Sequence, residues 1–287
     1  VKPAVFEYRR PNSVAEAVEL LAGHGDGAKL LAGGQSLVPL LNFRMLRPGV
    51  LVDINRLSTL DFVADDGGGL RIGALTRHHT LETSPLVEAR FPVLGAAMAH
   101  VAHLAIRNRG TIGGSLAHGD PAAELPMLAL LLDAAIHTST ASGSHRHPAR
   151  DFFVGPLVTT LAADEMVTEI ALPALPTRTG WGFEEVALRD GDFAIAAAAA
   201  TMTLADAAIA EVRLAVTGVD ATPLRLREVE AALVGLKFTP ELAAAAAQQA
   251  RDMVRPNSDL RGSSDYRRHL VAVLAERVLT AAWNRAL

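Results

Sequence analysis

Two short segments of this chain place a Gly-Gly pair between an apolar residue and small polar side chains: Ala32-Gly33-Gly34-Gln35-Ser36 and Thr111-Ile112-Gly113-Gly114-Ser115. Glycine turns tightly, reaches positive φ and brings its amide close to a ligand with no Cβ in the way. Two such turns predict a double set of N–H donors for one anion, a diphosphate above all. Gln35, Ser36 and Ser115 add side chains that bind phosphate oxygens, and Asp120 and Glu124 follow the second pair as acceptors suited to ribose hydroxyls. A lone Gly-Gly pair is as readily a turn that binds nothing. The doubling and the polar neighbours together favour an adenine dinucleotide bound in extended form.

Rival chemistries fit less well. His100 and His103 are spaced i, i+3, His78 and His79 are adjacent, and His145 and His147 lie two apart, but no H-E-x-x-H pattern or matching carboxylate accompanies them. Surface or hydrogen-bonding roles are the expectation there. Gly34-Gln35-Ser36-Leu37-Val38 lacks the last glycine of a nucleophile elbow. Gly23-His24-Gly25-Asp26-Gly27-Ala28 fits the G-x-G-x-x-A dinucleotide pattern, yet it follows a predicted helix and leads into a strand, the reverse of that motif. A helix C-cap and loop is expected instead.

The elements that position these residues read as follows. Residues 1–60 alternate strand, helix, strand, turn, helix, strand: Ser13 caps a helix from Val14, with Glu16 at the capping-box position, Lys29 to Ala32 is a strand, Pro39 to Met45 a helix, and Val50 to Ile54 a buried strand. Asp65 to Gly69 marks a hairpin turn. Leu81 to Glu88, Pro92 to Leu104 and Pro121 to Leu132 read as helices, the last opened by Asp120-Pro121. Short strands fill 134–172, and Pro173 to Gly180 is the linker candidate. Beyond it, propensity makes the run Ala196 to Ala200 helical, while Thr201-Met202-Thr203-Leu204 alternates like a strand. Val212 to Val219 is a strand, and three helices follow, the last with Arg267, Arg268, Arg277 and Arg285 on an expected solvated face or, equally, an interface.

Composition narrows the function classes. With 287 residues, two domains are expected. A net charge of −4 and 5% aromatic residues give no sign of a nucleic-acid partner. There are 0 cysteines, which excludes disulfides, thiolate zinc sites and Cys-ligated iron–sulfur clusters within this chain. Redox chemistry would need a bound organic cofactor or a metal held by His and carboxylates. With no apolar run behind Val1 to Phe6 and no span long enough for a bilayer, a cytoplasmic location is expected.

The runs Ala32 to Leu40, Val52-Asp53-Ile54-Asn55, Ile106 to Leu116 and Asp259 to Arg267 resemble the FAD-binding medium subunit of the molybdenum hydroxylases, the xanthine dehydrogenase and carbon monoxide dehydrogenase superfamily. The resemblance implies an α+β fold: a vanillyl-alcohol-oxidase-type FAD domain over 1–176, with subdomains of about 1–57 and 58–176, and a C-terminal domain of small antiparallel sheet and helices over 177–287. It turns the alanine run into a strand. It makes Ala32 to Ser36 and Thr111 to Ser115 the two diphosphate loops, sets Glu124 on the FAD ribose with Asp120 in the same loop, and puts Leu161 near the flavin. Lys29 and Ala102 match at the edges of these motifs. Phe193 falls where some members carry a tyrosine against the isoalloxazine, so the ring is kept and a donor lost. Gln35 stands where carbon monoxide dehydrogenases tend to have histidine, which points to a hydroxylase of an N-heterocycle, ketone or aldehyde. A large molybdenum-cofactor subunit and a small [2Fe-2S] subunit, in a dimer of heterotrimers, are the implied partners. Electrons would reach FAD here and leave to quinone, oxygen or NAD, with no catalytic side chain required. A stand-alone flavin oxidase and a non-redox nucleotide-binding assembly module are the alternatives.

Overall fold

A computed structural model describes residues 2–287. Strands β1 (Glu7–Arg9), β2 (Ala28–Leu31) and β3 (Val50–Asp53) form a parallel sheet in the order β1-β3-β2, connected by helices α1 (Val14–His24) and α2 (Leu37–Asn42). The Ser13 hydroxyl accepts the Glu16 amide at 3.1 Å, and the Glu16 carboxylate accepts the Asn12 amide at 2.7 Å, one residue earlier than a reciprocal capping box. Gly25, at φ 51°, ends α1, so the G-x-G-x-x-A run is the helix end and loop its position predicts. β3 is central and buried along its whole length, which explains its unbroken apolar sequence.

The second layer holds the hairpin of β4 (Val63–Asp66) and β5 (Gly69–Gly73), then helices α3 (His78–Thr83), α4 (Pro85–Arg90), α5 (Pro92–Met98), α6 (Leu104–Arg107), α7 (Ile112–His118) and α8 (Glu124–Leu131). β6 (Ala135–Thr140), β7 (Gly143–Pro148), α9 (Ala149–Phe152), β8 (Phe153–Gly155), β9 (Val158–Thr159) and β10 (Met166–Leu172) follow, and the main sheet runs β4-β5-β10-β6-β7. Three helix predictions need correction. The Leu81–Glu88 helix breaks at Pro85, which has no amide to continue it, and Ser84 caps a new helix through the Val87 amide. The Pro92–Leu104 helix stops at Met98, and Ala102 turns the chain at φ 48°, so His100 and His103 share no helical face. The third helix starts at Glu124 rather than Pro121, because the Asp120 carboxylate accepts the Ala122 amide at 2.8 Å and holds a turn there.

The C-terminal region adds the antiparallel sheet β11 (Gly180–Val186), β12 (Ala196–Ala205), β13 (Ala208–Thr217) and β14 (Leu224–Arg225), and helices α10 (Arg227–Leu233), α11 (Pro240–Met253) and α12 (Ser264–Ala286). The alanine run is a strand because tertiary burial outweighs a weak intrinsic preference. Ala196, Ala198, Ala200 and Met202 face the core under α11 and α12, while Ala197 and Ala199 join the core of the preceding layer. Small residues also let α12 press close: a Cβ on Gly182 would overlap the Val278 carbonyl. The expected solvated arginine face is only partly so. Arg267 is 5% exposed, pairs with Asp259 at 2.8 Å and donates to the carbonyls of Ile195 and Gly218. Arg285 stacks on Trp181 at 3.9 Å. Among the described residues no helix is long and apolar enough to cross a membrane.

Candidate functional site

The first glycine segment leaves β2 and enters α2. Gly34 takes φ 76°, a left-handed turn that suits glycine. None of the amides of Gly33, Gly34, Gln35, Ser36 and Leu37 meets an acceptor among the described residues, and the Gln35 side chain folds back to the Gly33 carbonyl at 3.0 Å. Backbone donors are seldom left without water or a ligand. Five in a row around a tight turn make a concave anion cradle.

The second segment differs. Thr111 is an N-cap and Gly113-Gly114 sit inside the first turn of α7, so the expected free turn is a helix start. Its amides are engaged: Ile112 donates to the Thr76 carbonyl at 3.1 Å, Gly113 to that of Ala74 at 2.9 Å, Gly114 to the Thr111 hydroxyl at 3.2 Å and Ser115 to the Thr111 carbonyl at 3.0 Å. The double set of N–H donors is thereby reduced to one. Gly113 is there for packing, since a Cβ would come within 2.6 Å of Ala74 Cβ. Gly114 is exposed and the Ser115 hydroxyl has no partner among the described residues, so this segment offers close backbone approach and a hydroxyl.

The two segments touch. A Cβ on Gly33 would overlap the Arg109 carbonyl and lie 2.9 Å from Gly110 Cα. Two residues with no role assigned from sequence lock them together. Asn55 donates to the Ala32 carbonyl at 2.8 Å and the Leu31 carbonyl at 3.2 Å, and accepts from Arg77 at 2.9 Å; Arg77 donates in turn to the Arg109 carbonyl. Asp53 anchors Asn55 at 2.7 Å. Burial pushes the Asp53 pKa up, but hydrogen bonds from Tyr8 and Asn55 overcome this and hold it below the ordinary carboxylate range. Asn55 closes the run Val52-Asp53-Ile54-Asn55, whereas nothing in the sequence around Arg77 points to its role. Behind the second segment, His78 is 6% exposed, neither ring nitrogen has a partner among the described residues, and burial lowers its pKa to about 4.

The remaining candidates arrange around this pair. Asp120 and Glu124 lie in and after the turn following α7, where Thr217 and Gly218 bond the Pro121 carbonyl at 2.7 and 2.8 Å. Glu124 is 6% exposed. Leu161 is half-buried in the loop that reaches Gly119 through the Leu157 amide at 3.2 Å. Ala102 abuts Gly191, whose Cβ would lie 2.9 Å from its carbonyl, and Arg107 fixes that carbonyl at 2.8 Å. Phe193, close by in sequence, is 46% exposed, with Arg261 5.8 Å from its ring centroid. Lys29 stands on β2 opposite Leu51, half-buried. A separate cleft of about 460 Å³, lined by Gly67, Gly68, Arg90, Arg178 and Trp181 among others, contains none of the candidate residues. The residues expected at the cofactor gather instead around the glycine cradle, which is the stronger site.

An open amide cradle beside a second glycine segment, within two α+β layers, defines a nucleotide-cofactor-binding chain. Residues 4–175 match the family described as the FAD binding domain in molybdopterin dehydrogenase, and residues 181–282 match the CO dehydrogenase flavoprotein C-terminal domain. The chain is 42% identical to the 6-hydroxypseudooxynicotine dehydrogenase complex subunit alpha of Paenarthrobacter nicotinovorans, covering 100% of this chain and 97% of that one. It superposes with a TM-score of 0.97 on carbon monoxide dehydrogenase from Hydrogenophaga pseudoflava, at 41% identity over 99% of both chains. For quinoline 2-oxidoreductase from Pseudomonas putida 86 the TM-score is 0.95, at 37% identity over 100% of both. The chain therefore belongs to the FAD-binding subunit family of the molybdenum hydroxylases, and is an oxidoreductase subunit of that class. The expected fold, an FAD-binding part followed by a small antiparallel sheet with helices, is present.

Proposed function

We propose that this chain is the electron-transfer subunit of a cytoplasmic molybdenum hydroxylase, with an FAD domain over 1–176 and a C-terminal domain over 177–287. It takes electrons from a small [2Fe-2S] subunit, itself supplied by a large molybdenum-cofactor subunit, and passes them to an external acceptor. The observation that carries the reading is the row of open amides from Gly33 to Leu37, held against the second glycine segment by Asn55 and Arg77. That row fits the diphosphate of FAD. Ser36 and Ser115 supply hydroxyls to the same group, Glu124 and Asp120 accept from the ribose, and Ala102, Leu161 and Phe193 flank the flavin. Bound FAD supplies a redox centre that exchanges electrons singly or in pairs. The protein orients it, excludes water with Leu161 and the Phe193 ring, and contributes no general base.

The absence of cysteine supports the division of labour, because a chain with 0 cysteines cannot ligate a [2Fe-2S] cluster by thiolates. An organic substrate, an N-heterocycle, ketone or aldehyde, is favoured by Gln35, while the names of the relatives span 6-hydroxypseudooxynicotine, quinoline and carbon monoxide. The test is reconstitution of the purified chain with FAD, followed by anaerobic mixing of the flavin-loaded chain with its two partner subunits and substrate. Flavin bleaching only when the iron–sulfur subunit is present is the expected outcome. A chain that binds no FAD, or that oxidises a small substrate alone, overturns the proposal.

A further inference from the structure

Glu124 and Glu185 meet where the first domain packs on the C-terminal sheet. One lateral row crosses three strands there: Glu185 is in register with Ala197, and Ala197 with Thr217. Thr217 bonds the carbonyls of Pro121 at 2.7 Å and Ala123 at 3.3 Å, so the row ends beside Glu124, the first residue of α8. On β11, Glu185 alternates onto the face of Trp181 and Phe183, both packed against the first core. Its carboxyl neighbours that of Glu124, and its Oε2 is buried without a partner among the described residues.

We propose that Glu185 is a positioning residue for the cofactor site: as a carboxylic acid it donates a hydrogen bond to Glu124 and presents that group as an acceptor to the sugar hydroxyls of the flavin nucleotide. The proposal rests on the FAD reading above. Two carboxyl groups this close and this buried cannot both ionise freely. Burial first, and then the charge of Glu124, raise Glu185 to about 8. Burial, then the charge of Asp120, raises Glu124 as well, so the pair titrates as a unit and keeps a proton at neutral pH. The charged group that acts on it is Asp120, in the turn before α8, while His100 packs on Phe183, the β11 neighbour two residues before Glu185. Neither α5 nor β12 carries an ionisable side chain, and on β13 Arg213 is paired with Glu211 and Asp133, so no cation is shown to relieve the pair.

The test titrates FAD into the flavin-stripped full chain, as wild type, Glu185→Gln and Glu185→Leu, between about pH 6 and pH 9, with the thermal midpoint of each apo chain followed over the same range. The wild-type chain should lose FAD affinity as pH rises through the titration of the pair, when the proton that joins the two carboxyl groups leaves. Glu185→Gln keeps a donor at every pH; it should bind like wild type at neutral pH and lose the alkaline weakening. Glu185→Leu has no donor and should raise the FAD dissociation constant about tenfold at neutral pH. The apo midpoint of wild type should fall with pH across this window more steeply than that of Glu185→Gln, because the folded state holds the extra proton. FAD binding that is equal in all three chains at every pH overturns the positioning role and leaves the FAD reading intact. A wild-type chain that binds no FAD overturns both, and a Glu185→Gln apo profile identical to wild type removes the shared proton itself.

Discussion

The two glycine segments share a pattern of residues and differ in how the backbone uses it. At Gly33-Gly34 the chain turns left-handed and leaves five successive amides open. At Gly113-Gly114 the chain winds into α7, and the fold consumes the amides. The first segment makes a binding surface, with Gly33 also giving room to the Arg109 carbonyl, while in the second the glycines make room for the fold. Gly113 is small because Ala74 lies against it, and Gly114 because the Thr111 hydroxyl does, at 2.8 Å from a Cβ placed there. Sequence pattern alone does not separate these roles, because steric need and ligand need select the same residue.

The sharpest way to break this comparison is to add one methyl group to each segment and compare the apo chains by denaturant unfolding. Gly113→Ala forces a Cβ against backbone and Cβ atoms of Ala74 at 2.6–2.7 Å. About 3 kcal/mol or more of stability should be lost, the upper end of overpacking costs. Gly34→Ala meets only the side-chain ends of Leu31 and Val38, at 3.1 and 3.2 Å. Its left-handed φ should cost about 1 kcal/mol. A larger loss from Gly34→Ala than from Gly113→Ala would reverse the assignment of roles.

Acid titration sharpens the same contrast from behind the second segment. His78 is buried neutral, so the unfolded chain binds the proton first and stability falls as pH drops from 6.5 to about 4. The loss should approach about 1.4 kcal/mol for each pH unit in that window. His78→Leu should remove this component from the pH dependence of the unfolding midpoint; an unchanged slope would place the acid sensitivity elsewhere. The smallest effect belongs to Thr111→Val, which deletes the α7 cap and should cost about 1 kcal/mol. Chemical denaturation of the apo chain reads it, and a loss below a few tenths would mean that the cap bond to Gly114 contributes little.

Much of the framework was legible because periodicity and local chemistry agreed. The parallel β1-β3-β2 unit, the Ser13 cap and the Gly25 helix end all follow from side chains acting within a few residues of themselves. Where local signals stopped short, the cause is shared. Ala196 to Ala200 is a strand because cores lie on both its faces, and a local propensity cannot register that. Arg267 is buried because the Ile195 and Gly218 carbonyls and Asp259 surround it, partners distant in sequence apart from Asp259. In the site, the glycines were visible from their types. Arg77 and Glu185 were not, since their roles come from contacts made across 32 and 61 residues with Arg109 and Glu124, the differences 109 − 77 and 185 − 124.

The alanine face of β12 has a consequence for how the chain comes together. Ala194, Ala197, Ala199 and Ala215 complete a core that otherwise belongs to the first domain, and α8, buried on every side, lies in that seam. The first half cannot close this core alone, whereas the core under α11 and α12 is built wholly from residues beyond Gly180. The boundary suggested by Pro173 to Gly180 separates two blocks of sequence that share one core, so the cofactor half is expected to reach full stability only once the strands translated after it have docked.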